Sequence, residues 1–233
     1  MNVHDFLTKV MTVNHRFHEM HEDIRDFWSL RIIEGVLLLD EYRLYQWYEN
    51  DKVPTYIVDV GGHYGSFTIM AKTLWPNATV IAYEPAMIPA NRFRGYTARF
   101  TDVTLVESAA VGKFRGPQVA FHMFTDEDSG NTIFKPDNRE HKEIIVNAIP
   151  LVEDLNRRGR HDISILKLDC EGAELELLQD LNANEYLPKI GFIVGEWHVQ
   201  SQLKVLKELL EPTHITEFIN PHLQNGGFFA WRR

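Results

Sequence analysis

Cysteine is nearly missing from this chain of 233 residues: Cys170 stands alone. A single thiol excludes an intrachain disulfide framework and fits a reducing compartment, so the expectation is a cytoplasmic protein. Long apolar runs are missing too. The best stretch, residues 32–39, is broken by Glu34 and Gly35, far short of the ~20 apolar residues a membrane helix needs. The amino terminus opens on Asn2, His4 and Asp5, without the basic-then-apolar pattern of a secretory signal. Positive charge is in deficit, with a net charge of -9. Such a field repels phosphate backbones and disfavours nucleic acid as a partner. Arg92, Arg94 and Arg99, or Arg157, Arg158 and Arg160, read as solvated faces rather than as a binding patch. Repeats and low-complexity tracts are also missing.

What is present is an ordinary globular composition, 44% hydrophobic, enough for one sizeable core. Residues 1–50 form a helical segment rich in Phe, His, Met and Leu, with few breakers. Residues 51–233 then alternate strand-like and helix-like runs, as an α/β sheet requires. Strands are predicted over 56–60, 79–83, 103–107, 163–168 and 191–195, with strand-like excursions at 119–124 and 143–149. Helices are predicted over 66–74, 88–100, 151–157, 174–181 and 202–210. Two strands, 215–220 and 227–232, close the chain, and Asn225-Gly226-Gly227 between them reads as a hairpin turn. The pattern predicts a mostly parallel sheet with one antiparallel strand at its end. In such sheets ligands sit beyond the carboxyl ends of the strands.

The first strand runs into Val58-Asp59-Val60-Gly61-Gly62-His63-Tyr64-Gly65-Ser66. Gly61, Gly62 and Gly65 permit a tight turn and a close approach of ligand to backbone. The next helix offers free N–H groups at its start. Asp59 is placed to hold the turn through backbone N–H bonds, or to meet a ligand's ammonium. The dinucleotide spacing G-x-G-x-x-G is not satisfied in any register. Glu84-Pro85 ends the second strand, about 25 residues beyond Asp59. A carboxylate there accepts both hydroxyls of a ribose, and Pro85 fixes the chain direction after it.

These residues resemble the FkbM family of methyltransferases that use S-adenosylmethionine (AdoMet). The resemblance rests on residues 58–65, on Tyr83-Glu84-Pro85, on Ala109-Ala110-Val111-Gly112 and above all on Leu166-Lys167-Leu168-Asp169-Cys170-Glu171-Gly172-Ala173-Glu174. It covers roughly residues 55–200 and leaves the first fifty untouched. It implies a class I, Rossmann-like methyltransferase: a mostly parallel seven-stranded sheet with an antiparallel last strand and helices on both faces. It implies AdoMet as cofactor and O-methylation of a sugar or other small hydroxylated acceptor. Many methyltransferases carry a third glycine where His63 stands; here His63 is placed to meet the cofactor's methionine end. Ser108 and Ala109 fall where class I enzymes contact adenine.

Methyl transfer from a sulfonium needs nucleophile and methyl held close and in line, and a hydroxyl must also lose a proton. Asp169, at the end of a central strand, is the candidate for orienting the acceptor or taking that proton. Lys167 shares its face of the strand and pairs with it or with Asp59. Glu171 and Glu174 read as first-turn carboxylates of the following helix. His198, closing the fifth strand, is a second base candidate. No metal is required by this reading, although Asp169, Glu196, His198 and His222 are the ligands a divalent cation would take. The polar loop 125–138, with Ser129 and Asn131, is either a lid or a solvated connection. Tyr42, Tyr45, Trp47 and Tyr48 form a helix packing face or a cover for the cleft. The N-terminal helices offer a surface for homo-oligomer formation. The alternatives left open are a non-catalytic binding or scaffold domain of the same fold, and an N- or protein methyltransferase.

Overall fold

The computed structural model describes residues 3–49, 53–112, 116–124, 130–135, 140–223 and 225–233. Three helices open the chain: α1 (Val3–Asp23), α2 (Phe27–Leu37) and α3 (Leu44–Glu49). Asp26 starts α2 by accepting the N–H of Ser29 at 2.7 Å, and Asp40 starts α3 by accepting the N–H groups of Leu44 and Tyr45 at 2.6 and 2.9 Å. Such side chains satisfy donors that a helix end leaves without partners.

The alternating part follows as β1 (Tyr56–Val60), α4 (Ser66–Leu74), β2 (Thr79–Tyr83), α5 (Met87–Thr97) and β3 (Val103–Val106). Then come β4 (Ala109–Val111), β5 (Gln118–Met123), β6 (Lys142–Pro150) and α6 (Leu151–Arg157). Next are β7 (Ile163–Leu168), α7 (Glu174–Ala183) and β8 (Ile190–Trp197). The chain closes with α8 (Leu203–Leu210), β9 (His214–Phe218) and β10 (Gly226–Arg232). The main sheet has seven strands in the order β3-β2-β1-β7-β8-β10-β9. β10 runs antiparallel to both neighbours, and the other pairings are parallel. The expected Rossmann-like α/β sheet is therefore present. Its strand order reverses between β1 and β7, where such sheets open a crevice at their carboxyl edge. β4, β6 and β5 form a second, three-stranded sheet.

The two faces of the sheet carry separate cores. Val58, Val60, Leu166 and Leu168 face α6, α7 and α8 through Leu155, Leu177 and Leu206. Ile57, Val80, Ile165 and Phe192 face α4 and the N-terminal helices, which contribute Val13, Met20, Ile33 and Leu37. Each of those side chains is almost fully buried, and burial of one stabilises the fold by about 1.5–3 kcal/mol. The N-terminal helices thus share a core with the sheet.

One local reading is corrected. Gly226 and Gly227 lie inside β10, opposite Trp197 and Glu196, and the connection from β9 is residues 219–225. Glycine is needed at 226 because a Cβ there would run into the carbonyl oxygen of Ile219.

Candidate active site

β1 ends at Val60, and the chain turns over residues 61–65 into α4. The N–H groups of Gly61 and Gly62 reach the carbonyl of Tyr83 at 3.1 and 2.9 Å, which ties the turn to β2. Gly61 has φ +82°, and a Cβ there would strike the backbone carbonyl of Asp169. Glycine alone fits both demands. Gly62 and Gly65 pack on the Phe93 ring of α5 and do not line the cavity described below. His63 adopts φ +44°, the region a glycine would enter without cost, and its ring stacks on Tyr64.

Glu84 follows β2 and is buried. Its Oε2 accepts the His63 N–H at 2.9 Å and its Oε1 accepts the Ala86 N–H at 2.8 Å. Burial pushes its pKa up to about 7, against the pull of those two donors.

Beneath the turn, Asp59 does not accept the expected backbone N–H bonds and does not reach the cavity. It is fully buried, takes the Thr68 hydroxyl at 2.8 Å and lies 3.4 Å from Lys167 Nζ. It sits on the α4 face of β1, so its partners are the α4 hydroxyl and the β7 ammonium. Lys167 also donates to the Gly61 carbonyl at 2.5 Å and lies 3.6 Å from Asp169. It thereby clamps the turn to β7. Burial works against the charged Lys167, but Asp169 and Asp59 outweigh it and raise its pKa. Asp169 is held below the usual carboxylate range. Burial pushes it up, and Lys167, His198 and the Tyr42 hydroxyl outweigh that push.

At the ends of β7 and β8 a further group converges. His198 Nδ1 meets Glu174 at 3.0 Å, and Glu174 is itself buried and accepts the N–H groups of Cys170 and Gly172. The expected first-turn placement of Glu171 is corrected. Glu171 and Gly172 both take positive φ, so α7 starts only at Glu174 and Glu171 swings toward His198. Burial opposes the charged imidazole, but Glu174, Glu171 and Asp169 push its pKa up to about 10. The N-terminal segment adds two groups that the sequence did not single out for this role. Tyr42 donates to Asp169 Oδ2 at 2.9 Å. Glu41 is pushed up to about 8 by burial and by the charges of Glu196 and Asp169.

A cavity of about 480 Å³ opens beside these groups, and Asp59, Lys167 and Glu174 lie behind its lining. Gly61, His63, Glu84, Pro85 and Ala109 line it, as do Asp169, Glu171, Glu196 and His198. Tyr42, Glu41, Trp28 and Arg31 wall it from the N-terminal segment, and Phe121, Asn131 and Ile133 from the small sheet and its loop. Ser108 does not line it; its N–H turns back to the Val106 carbonyl, while Ala109 enters β4. Asp169, Glu196 and His198 bring ligand atoms within 4.8 Å of one another; His222 does not join them. Asn131 faces the cavity with its amide oxygen accepting the Phe124 N–H at 3.0 Å. Ser129 lies outside the described residues. No helix among the described residues is long and apolar enough to cross a membrane.

The family model described as the methyltransferase FkbM domain matches residues 59–228. Methyltransferase sdnD of Sordaria araneosa is 22% identical over 94% of this chain and 91% of its own length. The 31-O-demethyl-FK506 methyltransferase FkbM of Streptomyces tacrolimicus is 25% identical over 61% of this chain and 65% of its own. Methyltransferase 1 of Beauveria bassiana (strain ARSEF 2860) is 24% identical over 61% of this chain and 64% of its own. The chain thus spans less than two thirds of the last two.

Proposed function

We propose that this chain, which belongs to the FkbM family of methyltransferases, moves a methyl group from AdoMet to a hydroxyl of a small acceptor, a sugar or another hydroxylated metabolite. One observation carries the reading: Gly61 and the buried carboxylate of Glu84 line the same cavity as Asp169 and His198. The residues present fit AdoMet. Gly61 lines the cavity with bare backbone, held there because a Cβ would strike the Asp169 carbonyl, and Glu84 offers oxygens suited to a ribose diol. His63 and Ala109 complete the cofactor wall.

When bound, AdoMet would supply a methyl on a sulfonium, and the acceptor oxygen would form the new C–O bond as the S–C bond breaks and its electron pair stays on sulfur. The chain's own residues position and deprotonate. Tyr42 and Lys167 keep Asp169 ionised and fixed. Asp169 accepts the hydrogen bond of the acceptor hydroxyl and directs a lone pair toward the methyl. It then takes the proton. An oxygen gaining a methyl becomes strongly acidic, so a carboxylate of low pKa suffices. Most of the acceleration on this reading comes from alignment. The name of the Streptomyces relative refers to a 31-O-demethyl substrate, which supports oxygen as the acceptor atom here.

Isothermal titration with AdoMet tests the cofactor claim, and no heat of binding in the purified chain would remove it. Methyl transfer from labelled AdoMet across a panel of sugars and hydroxylated metabolites tests the acceptor class. Transfer only to amines or proteins would replace the hydroxyl reading.

A further inference from the structure

We propose that Asp169, Glu196 and His198 form a divalent-cation site beside the cofactor cradle, one that binds an ion of the Mn2+ kind and presents it to the acceptor. The purpose assigned to the ion rests on the methyl-transfer reading; the site itself does not.

Three features of the geometry carry it. First, the imidazole is aimed. Its Nδ1 is fixed by Glu174 at 3.0 Å, and that carboxylate is fixed by two backbone N–H groups. A histidine whose second nitrogen is held by a carboxylate is the usual way a protein orients a metal-binding imidazole. Second, Nε2 then lies among three carboxylates, Glu171 Oε1 at 3.5 Å, Glu196 Oε2 at 3.6 Å and Asp169 Oδ1 at 3.7 Å, and the last two are the ones whose ligand atoms cluster with it. Charge-assisted hydrogen bonds close to ~2.7–2.9 Å, and these contacts do not. Spacings of this length leave room for an ion between the ligand atoms. Two ligand atoms each ~2.1–2.2 Å from one ion and spaced as these are subtend about 115° at it, an ordinary coordination angle. All three ligand atoms fall within 4.8 Å of one another. Third, the ligands come from rigid elements. Asp169 directly follows β7, Glu196 lies in β8 and His198 follows it, so the donors are set by two paired strands.

Two carboxylates with one imidazole suit Mn2+, which accepts both ligand types, and leave open positions for water or substrate. Those positions face the cavity that the acceptor would enter. An acceptor with two neighbouring hydroxyls would chelate the ion. The ion would acidify the hydroxyl that Asp169 orients, as a Lewis acid does.

The test titrates Mn2+ into the full, chelator-treated chain without AdoMet and follows free Mn2+ by electron paramagnetic resonance. The expected result is one Mn2+ per chain, with affinity lowered at least tenfold by Glu196→Gln and by His198→Gln, and unchanged by Glu19→Gln on α1. Far-UV circular dichroism confirms that each variant is folded. Wild-type protein that takes up no Mn2+ overturns the proposal, whatever the variants do. So does uptake that neither Glu196→Gln nor His198→Gln weakens. AdoMet titrations on the same samples separate the two claims. Mn2+ uptake without AdoMet binding leaves the cation site standing and removes the cofactor reading; AdoMet binding without Mn2+ uptake does the reverse.

Discussion

Glu84→Gln separates a ligand-binding carboxylate from a merely structural one, because the two roles predict opposite signs. Burial raises the Glu84 pKa from 4.5 to about 7. At pH 8 the folded chain therefore carries a penalty of roughly 3 kcal/mol for holding that group ionised. A carboxyl with a raised folded pKa binds its proton more tightly in the native state. Its effect on wild-type stability is nil below about pH 4.5 and grows as pH climbs toward 7. Glutamine removes the charge and keeps one acceptor oxygen for the N–H of either His63 or Ala86. Its amide nitrogen then faces the other donor, which costs about 1–2 kcal/mol. The net expectation at pH 8 is a gain of about 1–2 kcal/mol, or roughly 4 °C in Tm for a chain of this size.

AdoMet affinity should move the other way. Two ribose hydroxyls bonded to a charged acceptor contribute about 1.5–3 kcal/mol each. A loss of about 3 kcal/mol corresponds to on the order of 100-fold in Kd. Thermal melts at pH 5 and pH 8, with titration calorimetry at pH 8, read both quantities. The result that refutes the reasoning is a variant destabilised equally at both pH values and binding AdoMet as the wild type does. Glu84 would then be a bracket for the glycine turn and nothing more.

Lys167→Met should destabilise the chain by about 3–5 kcal/mol in urea unfolding, because Asp59 stays buried without its cation. Adding Asp59→Asn should recover part of that loss, and strict additivity of the two changes would show that they do not interact. Gly61→Ala should abolish AdoMet binding and cost a few kcal/mol of stability, since φ +82° and the Asp169 carbonyl both oppose a Cβ; wild-type affinity in the variant would mean the turn has another conformation. Tyr42→Phe deletes the hydroxyl that holds Asp169 and should slow labelled methyl transfer about tenfold while leaving the AdoMet Kd within about threefold. An unchanged rate would take Tyr42 out of the site.

The parts of the fold legible in the sequence are those whose neighbours are close in the chain or whose burial is complete. β1, β2, β7, α4 and α6 match their predicted bounds: the strands and α4 are apolar runs closed by turn residues or proline, and α6 starts directly after Pro150 with acids in its first turn. The sequence pattern predicts no strand at β4. β4 has three residues and pairs with β6, whose partners Ala148 to Pro150 lie about forty residues on, so no local alternation marks it. The glycines at 226 and 227 carry a strong local turn signal, but pairing with β8 claims them for a strand. Pairing also explains why β8 runs on to Trp197, beyond the apolar core of the run. Glu171 reads locally as a helix-start acid; two successive residues of positive φ delay the helix and turn it into a neighbour of His198. Tyr42 lies 127 residues from its partner Asp169, a distance over which periodicity carries no information.

That division bears on which part of the chain does which task. The residues that the proposed reading gives to AdoMet lie within the family match, which begins at Asp59, and their place follows from how a parallel sheet ends. The opposite wall is largely contributed by residues that precede the match: Trp28, Arg31, Glu41 and Tyr42. Their segment is not a detachable appendage, since Ile33 and Leu37 share a core with Ile57 and Phe192 of the sheet. The cost of placing Glu41 there is visible in its pKa of about 8. A fold selected for stability alone would not bury an acid against Glu196 and Asp169, and a site that must hold a polar acceptor has reason to. On the proposed reading, then, the sheet sets that a methyl group is transferred, and the first fifty residues help set which hydroxyl receives it.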